Sequence, residues 1–555
     1  MNEREFNLVD EPWICVLRKD LQVDTLSLRD VFLHGQDYLD LGGENQPQNF
    51  AVLRLLIALA YTIFSRVDEN GKAMDIAEIT DPDEAADEIL RRWGALWENG
   101  RFPQEPVLQY LEQYHDYFWL FDPERPFGQA PGAVRGTQYG ASKLIGDISE
   151  GNNKIRIFSN RAGEEKNTLS YPEAARWLLF INAVDDASGK PKQKGLESIG
   201  PGWVGKLGMI QSVGKNLFET ILLNLTFLKD GEGLWSKKAN PNWEHLPKEG
   251  ERTEIPVPDN LAELLTLQSR RLLLKRENGR VIGYGLLGGD FFDNHGENGA
   301  FNEQMTIWKV DKKSKSHYFV PQQITPGRQM WRDFGNYFVG GFSEETGEIK
   351  HIPGIISWLR TLQEVNLLSI KDTISFRIIA IEYGGGSQHS IINDFSSDTL
   401  TLYPELISEQ EIGVQETIEQ QIAKCDEAAR AVNHLFYNIF LAEGGDPEKK
   451  SRKGESLFYR AVDEPFRKWL LQFRGDLLKD PKKLENAYRD WEQQAKAIAN
   501  QIGDEEEQRA NLTAFLGRIK KDENGNVRAF YSLPRADKWF KLELAKIYPK
   551  EGDAK

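Results

Sequence analysis

Histidine and acidic residues are the first candidates for catalysis or metal binding, and in this sequence they do not cluster. His115 and Asp116 form a pair typical of some metal nucleases, but no second pair follows at helical spacing. His295 and His317 have no cysteine or close histidine partner. Because a metal site needs several converging ligands, we expect no metal and interpret His115 and Asp116 as part of a structural loop.

Motifs for nucleotide binding and nucleophilic catalysis are also missing from the sequence. The glycine-rich stretch GYGLLGGD, Gly283–Asp290, lacks the lysine and the following helix of a phosphate-binding loop, so a strand, a turn and a strand are favoured there. No G-x-S-x-G elbow occurs. The sequence therefore predicts neither a catalytic site nor a cofactor.

A basic stretch, NNKIRIFSNRAGEEK at 152–166, combines residue types that bind nucleic acid. It carries Lys154, Arg156, Phe158, Asn160 and Arg161. Lysine and arginine contact phosphates, an aromatic ring stacks on a base, and an amide contacts base edges. The stretch predicts a DNA-binding loop, and the alternative is a solvent-exposed hairpin without a ligand.

A second stretch, DDASGKPKQKG at 185–195, places Lys190, Lys192 and Lys194 close to Gly189. Glycine lets the backbone approach a ligand closely, and lysines supply positive charge. We expect Gly189 and Lys190 to contact DNA. The alternative is an exposed surface loop.

The third stretch is a glycine-rich turn after a strand-like run. The run ISFRIIAI, Ile374–Ile381, precedes EYGGGSQHS, and three glycines permit the positive φ of a tight hairpin. The predicted tip carries Ser387, Gln388 and His389. A glutamine on a protruding turn can wedge at a base step or contact a groove edge. The alternative is a turn with no ligand.

Length and periodicity predict an α+β protein with two domains. A chain of 555 residues exceeds the size of one core. Residues 1–400 mix strand-like pieces with helical runs at Phe50–Phe64, Asp83–Trp97, Tyr171–Ala183 and Leu217–Leu228. Residues 401–555 show helical periodicity from Val414 to Ile439 and from Leu484 to Ile502, with further helices at Leu457–Phe473 and Trp539–Ile547. Such helices, joined by short loops, predict an antiparallel four-helix bundle.

Charge and cysteine content limit the functional class. Because the formal net charge is −16, we expect any contact with nucleic acid to be confined to a few local basic loops. The two cysteines, Cys15 and Cys425, exclude a disulfide framework or a four-cysteine zinc site within the chain and fit a reducing cytoplasm. The N-terminus has no signal-peptide pattern. The longest apolar run, Phe50–Phe64, contains Arg54 and predicts a buried helix and no membrane span.

Five stretches, taken in order, resemble one known family. They are NLVDEPWICV, LSLRDVF, LFDPERPFGQ, IGPGWVGKLG and LFETILLNL. They are similar to the CasA family, the large subunit of the type I-E CRISPR surveillance complex Cascade. The resemblance covers most of the chain. It implies a large mixed α/β N-terminal domain followed by a helical bundle that docks on sibling subunits.

The resemblance implies a non-catalytic, cytoplasmic prokaryotic protein that works in antiviral defence, without a cofactor and away from membranes. Its partners would be the other Cascade subunits, the guide RNA and double-stranded target DNA. It would recognise the protospacer-adjacent motif (PAM), largely from the minor groove, and help to open the duplex for guide pairing. A helicase-nuclease would be recruited afterwards. This division of labour leaves the long sequence to base pairing and the short motif to protein.

The resemblance also implies roles for individual residues. Gln388, flanked by Ser387 and His389, matches the family's glutamine wedge, and Phe158 and Asn160 are similar to an aromatic and an asparagine in its first DNA-contacting loop. The family's glycine loop corresponds to the stretch that contains Gly189 and Lys190.

The family's lysine finger has no match, because Gly289 and Asp290 occupy that region. Its role is either absent from this chain or filled by Lys275 or Lys312. Two other functions stay open: a helical scaffold that binds only proteins, and a metal-dependent nuclease suggested by His115 and Asp116.

Overall fold

The computed structural model describes residues 4–146, 161–187, 199–247, 252–293, 300–311, 319–343, 348–369, 371–384, 391–449, 451–521 and 527–549. Over these residues the chain is an α+β protein, which confirms the predicted class. It divides into two compact units. The first unit comprises Met1–Met330, Gly340–Ser369 and Ile374–Leu400, and the second comprises Trp331–Val339, Ile370–Thr373 and Thr401–Lys555.

Helices and strands alternate through the first unit, and helices dominate the second. The helices are α1 (Leu28–His34), α2 (Gln46–Arg66), α3 (Pro82–Asn99), α4 (Gln104–Gln113), α5 (Ala141–Leu144), α6 (Tyr171–Val184), α7 (Leu217–Leu223), α8 (Leu261–Leu265), α9 (Phe334–Phe338), α10 (Gly354–Glu364), α11 (Pro404–Ile407), α12 (Ile412–Ala442), α13 (Lys453–Leu470), α14 (Asp476–Lys479), α15 (Pro481–Arg509), α16 (Leu512–Leu516) and α17 (Leu533–Ile547).

The strands are short and lie in several small sheets. They are β1 (Glu5–Asn7), β2 (Ile14–Leu17), β3 (Val23–Leu26), β4 (Asp40–Leu41), β5 (Trp119–Phe121), β6 (Thr137–Gly140), β7 (Met209–Val213), β8 (Thr253–Glu254), β9 (Arg270–Glu277), β10 (Arg280–Gly288), β11 (Asp290–Phe291), β12 (Trp308–Val310), β13 (Phe319–Pro321), β14 (Gly341–Ser343), β15 (Glu348–Lys350), β16 (Ile374–Gly384), β17 (Ile391–Leu402), β18 (Arg518–Lys521) and β19 (Val527–Tyr531). Two sheets matter for the site below, with strand orders β6-β10-β9 and β17-β16-β7.

Helix α2 forms the centre of the first unit. Asn45 caps its first turn by accepting a hydrogen bond from the Gln48 backbone, and Pro47 is tolerated there because a first-turn N–H needs no helical partner. By length and composition α2 could cross a membrane, but its apolar window is entirely buried within the protein. Arg54 is accommodated in this core by a two-pronged ion pair with Glu303, at 2.8 and 2.9 Å.

The predicted helices of the first unit are confirmed, with one difference in length. Helices α3 and α6 cover their predicted stretches, but α7 ends at Leu223, well before Leu228. The side chain of Asn224 donates to the carbonyls of Thr220 and Ser212, both at 2.7 Å, and accepts from the Ser212 backbone at 2.8 Å. A partner in β7 therefore stops the helix where periodicity alone would continue it.

The predicted strand at Ile374–Ile381 is confirmed as part of β16. This strand pairs antiparallel with β7 on one side, placing Ser375 opposite Val213, and neighbours β17 on the other. The connection between β16 and β17 spans only residues 385–390, which is too short for a parallel crossover, so these two strands are also antiparallel.

The four long helices of the second unit form an antiparallel bundle. Helices α12 and α13 are antiparallel, because residue numbers that rise along α13 pair with numbers that fall along α12. The Gly454 backbone donates to the Asn433 side chain at 3.2 Å, and the Tyr459 hydroxyl donates to Asp426 at 2.5 Å. Helix α15 runs parallel to α12, and α17 runs antiparallel to both. Aromatic rings fill the centre, where Trp469 stacks on Trp491 with ring centroids 5.4 Å apart.

A β-hairpin interrupts the predicted succession of helices in the second unit. Strands β18 and β19 pair antiparallel between α16 and α17. An Asn-Gly dipeptide, Asn524-Gly525, lies between the two strands in the sequence and is a strong hairpin signal. The predicted series of helices joined by short loops is therefore incomplete, because it lacks this hairpin.

Candidate nucleic-acid interface

Most of the predicted DNA-contacting residues fall in three gaps of the described chain. Residues 147–160, 188–198 and 385–390 are named here the first, second and third segments. The residues that lie outside the described chain are Lys154, Phe158, Asn160, Gly189, Lys190, Ser387, Gln388 and His389. Their predicted contacts stay predictions, and the structure bears on the residues that flank them.

Arg161, at the end of the first segment, is the one predicted contact residue that the structure describes. Its guanidinium bonds to Glu173 at 2.9 Å, and its side chain is only 16% exposed. Glu173 also accepts hydrogen bonds from the backbone and hydroxyl of Ser170, at 2.9 and 2.6 Å, which closes a capping box on α6. Arg161 therefore ties the end of the first segment to the start of α6.

The second segment is bordered by two buried carboxylates and a buried arginine. Asp185 and Asp186 directly follow α6, and Arg270 opens β9. The Arg270 Nε donates to the Asp185 carboxylate at 2.7 Å, and its Nη2 donates to the carbonyls of Asp185 and Gly200 at 3.1 and 2.7 Å. A single guanidinium therefore holds the residues on both sides of the second segment.

Lys143 joins the residues that precede the first segment to those that precede the second. Its ammonium lies 2.6 Å from the Asp186 carboxylate, and both side chains are buried. Gly146 packs closely against the ring of Phe180 in α6. A Cβ at this position would lie only 2.5 Å from that ring, so a larger residue would push the two apart. The Phe180 ring in turn packs edge-on against Phe395 in β17, with centroids 5.9 Å apart.

Tyr383 links the strand that precedes the third segment to the helix that precedes the second. This residue lies in β16 just before the segment, and its hydroxyl donates to the Val184 carbonyl at 2.7 Å. Burial, reinforced by the charge of Asp185, raises the pKa of Tyr383 well above its usual value, so the hydroxyl keeps its proton to donate. A Cβ on Gly205 would collide with that hydroxyl, so glycine is required for the approach.

We name Lys143, Asp185, Asp186, Arg270 and Tyr383 the anchor network. None of these residues was predicted from the sequence as a functional candidate, although the sequence carries two signals for them. Two adjacent carboxylates after the C-terminus of a helix are disfavoured by its dipole and call for cations. The arginine pair Arg270-Arg271 opens an apolar strand, and buried arginines need carboxylate partners.

A buried ion pair occupies the region where the resemblance would place the lysine finger of some relatives. Asp290 lies 2.6 Å from Arg271, and both side chains are buried. Gly289 leaves no room for a side chain, since a Cβ would lie 2.2 Å from the Gln268 carbonyl. Lys275 is exposed on β9, whereas Lys312 lies outside the described residues.

His115 and Asp116 lie 4.0 Å apart, and each has a closer partner elsewhere. A ring nitrogen of His115 lies 2.6 Å from Asp10, and the Asp116 carboxylate lies 2.9 Å from Arg4. Over the described ranges, no three histidine, cysteine, aspartate or glutamate residues are grouped so that they could hold a metal ion. Cys15 and Cys425 are both free thiols.

Comparison with known proteins decides the family. The sequence model of the CRISPR-associated protein Cse1 family matches residues 7–502. The chain belongs to the Cse1 family. This Cse1-family chain is 24% identical over 452 residues to CRISPR-associated protein CasA/Cse1 of Thermus thermophilus, which covers 80% of both proteins. The resemblance to CasA proteins is thereby confirmed.

Solved structures agree with this Cse1 membership. The crystal structure of Thermobifida fusca Cse1 is similar to this chain at 27% identity, with a TM-score of 0.79 and 98% of each chain covered. A chain of a CRISPR RNA-guided surveillance complex has the same fold at 16% identity, with a TM-score of 0.65, covering 98% of this chain and 100% of that one.

Proposed function

We propose that this chain is the large, non-catalytic subunit of an RNA-guided CRISPR surveillance complex. In this role it recognises the protospacer-adjacent motif in duplex DNA. Family membership supports the assignment, as does the likeness to a chain of a surveillance complex. Guide RNA and sibling subunits are its partners, and target DNA is its ligand.

The observation that supports the proposal is that described residues flanking the three segments meet in the anchor network. Lys143 precedes the first segment, Gly200 follows the second and Tyr383 precedes the third, and each makes a buried contact with the network. Together the three segments carry cations for phosphates, an aromatic ring for stacking and a glutamine for groove edges. An acidic protein can bind DNA in this way, because its basic residues are concentrated in a few loops.

Duplex opening and nuclease recruitment complete the proposal. Gln388 would be driven between base pairs beside the motif, which lowers the cost of unpairing the first target bases. The helicase-nuclease is recruited once the duplex is open. The bundle docks on sibling subunits, and the exposed apolar side chains of Leu512, Phe515 and Leu516 on α16 support this role.

The test is binding of the reconstituted complex, with and without this chain, to duplexes that share a target but differ in the flanking base pairs. We expect binding that depends both on the chain and on the flank. Equal binding without the chain would overturn motif recognition and leave a protein-only scaffold. Divalent-dependent cleavage by the isolated chain would instead favour a nuclease.

Gln388→Ala is the first variant to compare in that assay. We expect slower target opening with normal assembly, because the wedge is lost and the bundle is unchanged. Gln104→Ala, at an exposed glutamine that begins α4, is the matched control and should open targets at the native rate. Opening at the native rate by Gln388→Ala would contradict the wedge assignment.

A further inference from the structure

A cleft in the first unit combines features of a small-molecule site. It is bordered by α2, α6 and the chain that follows α8, and it encloses about 870 Å³ of space without protein atoms, part of it open to solvent. Pockets for small ligands commonly span about 300–1,000 Å³. We infer that this cleft binds a small anionic ligand with an amine-bearing aromatic ring, the chemistry of a mononucleotide. The inference does not depend on the proposed function.

Aromatic rings form walls that are held in place without a ligand. Trp203, Trp243 and Phe127 line the cleft, and all three are buried. The indole N–H of Trp203 donates to Glu303 at 2.9 Å, and that of Trp243 donates to the Tyr110 hydroxyl at 2.9 Å. A flat ring can pack against walls of this kind at little cost in ordering the protein.

The lining of the cleft is positive although the whole chain is acidic. Among the described residues that line it, two are arginines and none is aspartate or glutamate. The charge of Arg54 is balanced by its ion pair with Glu303. Arg125 forms no ion pair within the described part of the chain, and its guanidinium lies over the ring of Tyr117, 5.3 Å from the centroid. Arg125 can therefore bind an anion such as a phosphate through paired hydrogen bonds.

A short turn positions Arg125. The Asp122 carboxylate accepts hydrogen bonds from the backbone N–H groups of Glu124 and Arg125, both at 2.8 Å. Its other oxygen accepts from the guanidinium of Arg4, also at 2.8 Å. Asp122 thereby fixes the backbone of Arg125 while Arg4 balances its charge, so the Arg125 guanidinium is left for a ligand.

Gln268 brings an unpartnered hydrogen-bond acceptor to the same cleft. The residue lines the cleft and is only 5% exposed, and its buried Oε1 accepts no hydrogen bond from any residue that the structure describes. Its backbone is fixed, because its carbonyl accepts from the Asp290 amide at 2.8 Å. A buried acceptor without a donor is costly, and an amine on the ligand would satisfy it. Because a glutamine amide pairs well with the exocyclic amine and N7 of adenine, adenine is the ring to test first.

Calorimetric titration of the full chain with adenosine monophosphate tests the site. We expect saturable binding at a single site. Purine riboside monophosphate, which lacks only the amine, should bind roughly tenfold more weakly, because the Gln268 acceptor stays unpaired. Adenosine, which lacks the phosphate, should also bind roughly tenfold more weakly, because Arg125 then has no anion to contact. No binding of adenosine monophosphate up to about 5 mM would overturn the inference.

Two variants assign the binding to this cleft. Arg125→Gln should weaken binding of adenosine monophosphate roughly tenfold and leave that of adenosine unchanged, because only the charge is removed. Arg101→Gln, at an exposed arginine of the same unit, is the matched control and should bind like the native chain. Gln268→Met keeps the volume but removes the amide, so it should bind adenosine monophosphate and purine riboside monophosphate equally. Thermal unfolding without ligand checks that each variant folds. Native behaviour in both Arg125→Gln and Gln268→Met would overturn the inference.

A competition experiment identifies the source of the nucleotide. Displacement of adenosine monophosphate by single-stranded oligoadenylate would mean that the cleft accepts a nucleotide within a strand, and no displacement would mean a free nucleotide. Either result supports the ring-and-anion chemistry. These titrations contain neither guide RNA nor motif duplex, so their failure would leave motif recognition standing, and failure of motif recognition would leave the cleft assignment standing.

Discussion

Single charged residues determine much of the structure around the predicted DNA contacts. Asp185 and Asp186 sit at the end of α6, where the helix dipole disfavours negative charge. They are nevertheless buried, because Arg270 and Lys143 lie within 2.7 and 2.6 Å. These two cations therefore offset part of the cost of burying the carboxylates.

The first prediction concerns the pair of Lys143 and Asp186. Lys143→Met should lower the free energy of unfolding by roughly 3–5 kcal/mol, because it leaves a buried carboxylate without its cation. The double variant Lys143→Met/Asp186→Leu should recover at least half of that loss, since an apolar pair of similar volume replaces the ions. Denaturant unfolding of the free chain measures both. A single variant as stable as the native chain would contradict the burial argument.

The second prediction separates Lys154 from Arg161. Lys154→Ala should reduce the slope of log affinity against log salt by about one, as expected for one lost phosphate contact. Arg161→Ala should weaken binding with a smaller change of slope, because its guanidinium is engaged by Glu173. Binding of motif duplex across a salt series measures both slopes.

Glu173→Gln is the comparison for that experiment. If Arg161 acts by anchoring the first segment, this variant should reproduce the effect of Arg161→Ala. An Arg161→Ala slope change as large as that of Lys154→Ala would instead make Arg161 a direct phosphate contact.

At the scale of elements, the contact between α15 and α17 is sensitive to pH. Burial, followed by the charge of Asp537, raises the pKa of Glu507 to about 7 from an ordinary value of 4.5. The folded state therefore binds more protons than the unfolded state between these two values. By linkage, the stability contributed by this contact falls as the pH rises from 4.5 to 7.

The third prediction follows from this loss of stability with rising pH. Glu507→Gln should raise the free energy of unfolding at pH 8 by about 1 kcal/mol and leave it unchanged near pH 4. We expect less than the pKa shift alone would suggest, because Glu507 is only partly buried and solvent screens its charge. Glu505→Gln, an exposed neighbour on α15, is the control. An equal gain in the free energy of unfolding at pH 4 and pH 8 would show that the protonation of Glu507 is not the cause.

At the scale of the whole molecule, the second unit should determine assembly and the first unit DNA recognition. The second unit includes Trp331–Val339 and Ile370–Thr373 as well as the C-terminal helices. A simple truncation at residue 401 would therefore strip those two inserts of their packing partners. Surface substitutions on the bundle are the cleaner test of docking.

The fourth prediction uses the exposed leucines of α16. Leu512 and Leu516 are 81 and 78% exposed, so replacing both with serine should leave the fold intact. We expect roughly tenfold weaker incorporation into the complex, because about 1.4 kcal/mol of apolar contact is lost. Size-exclusion chromatography of the reconstituted complex measures this. Leu21→Ser, which is 69% exposed in the first unit, should incorporate normally.

The sequence alone determined the α+β class, the long helices and the strand at Ile374–Ile381, because periodicity is a local property that the final fold preserves. The order of five stretches was enough to indicate the family. Helix α7 shows the limit of local signals: Asn224 ends it by bonding to Ser212, a residue of another element.

Only the tertiary structure decided which buried charges meet. Lys143, Asp186 and Arg270 are separated by tens of residues, and nothing in their local patterns specifies which carboxylate pairs with which cation. Tyr383 is farther still from Val184, the residue whose carbonyl it contacts. Such partners are selected by packing and by the cost of an unpaired buried charge, and both arise only once the elements are assembled.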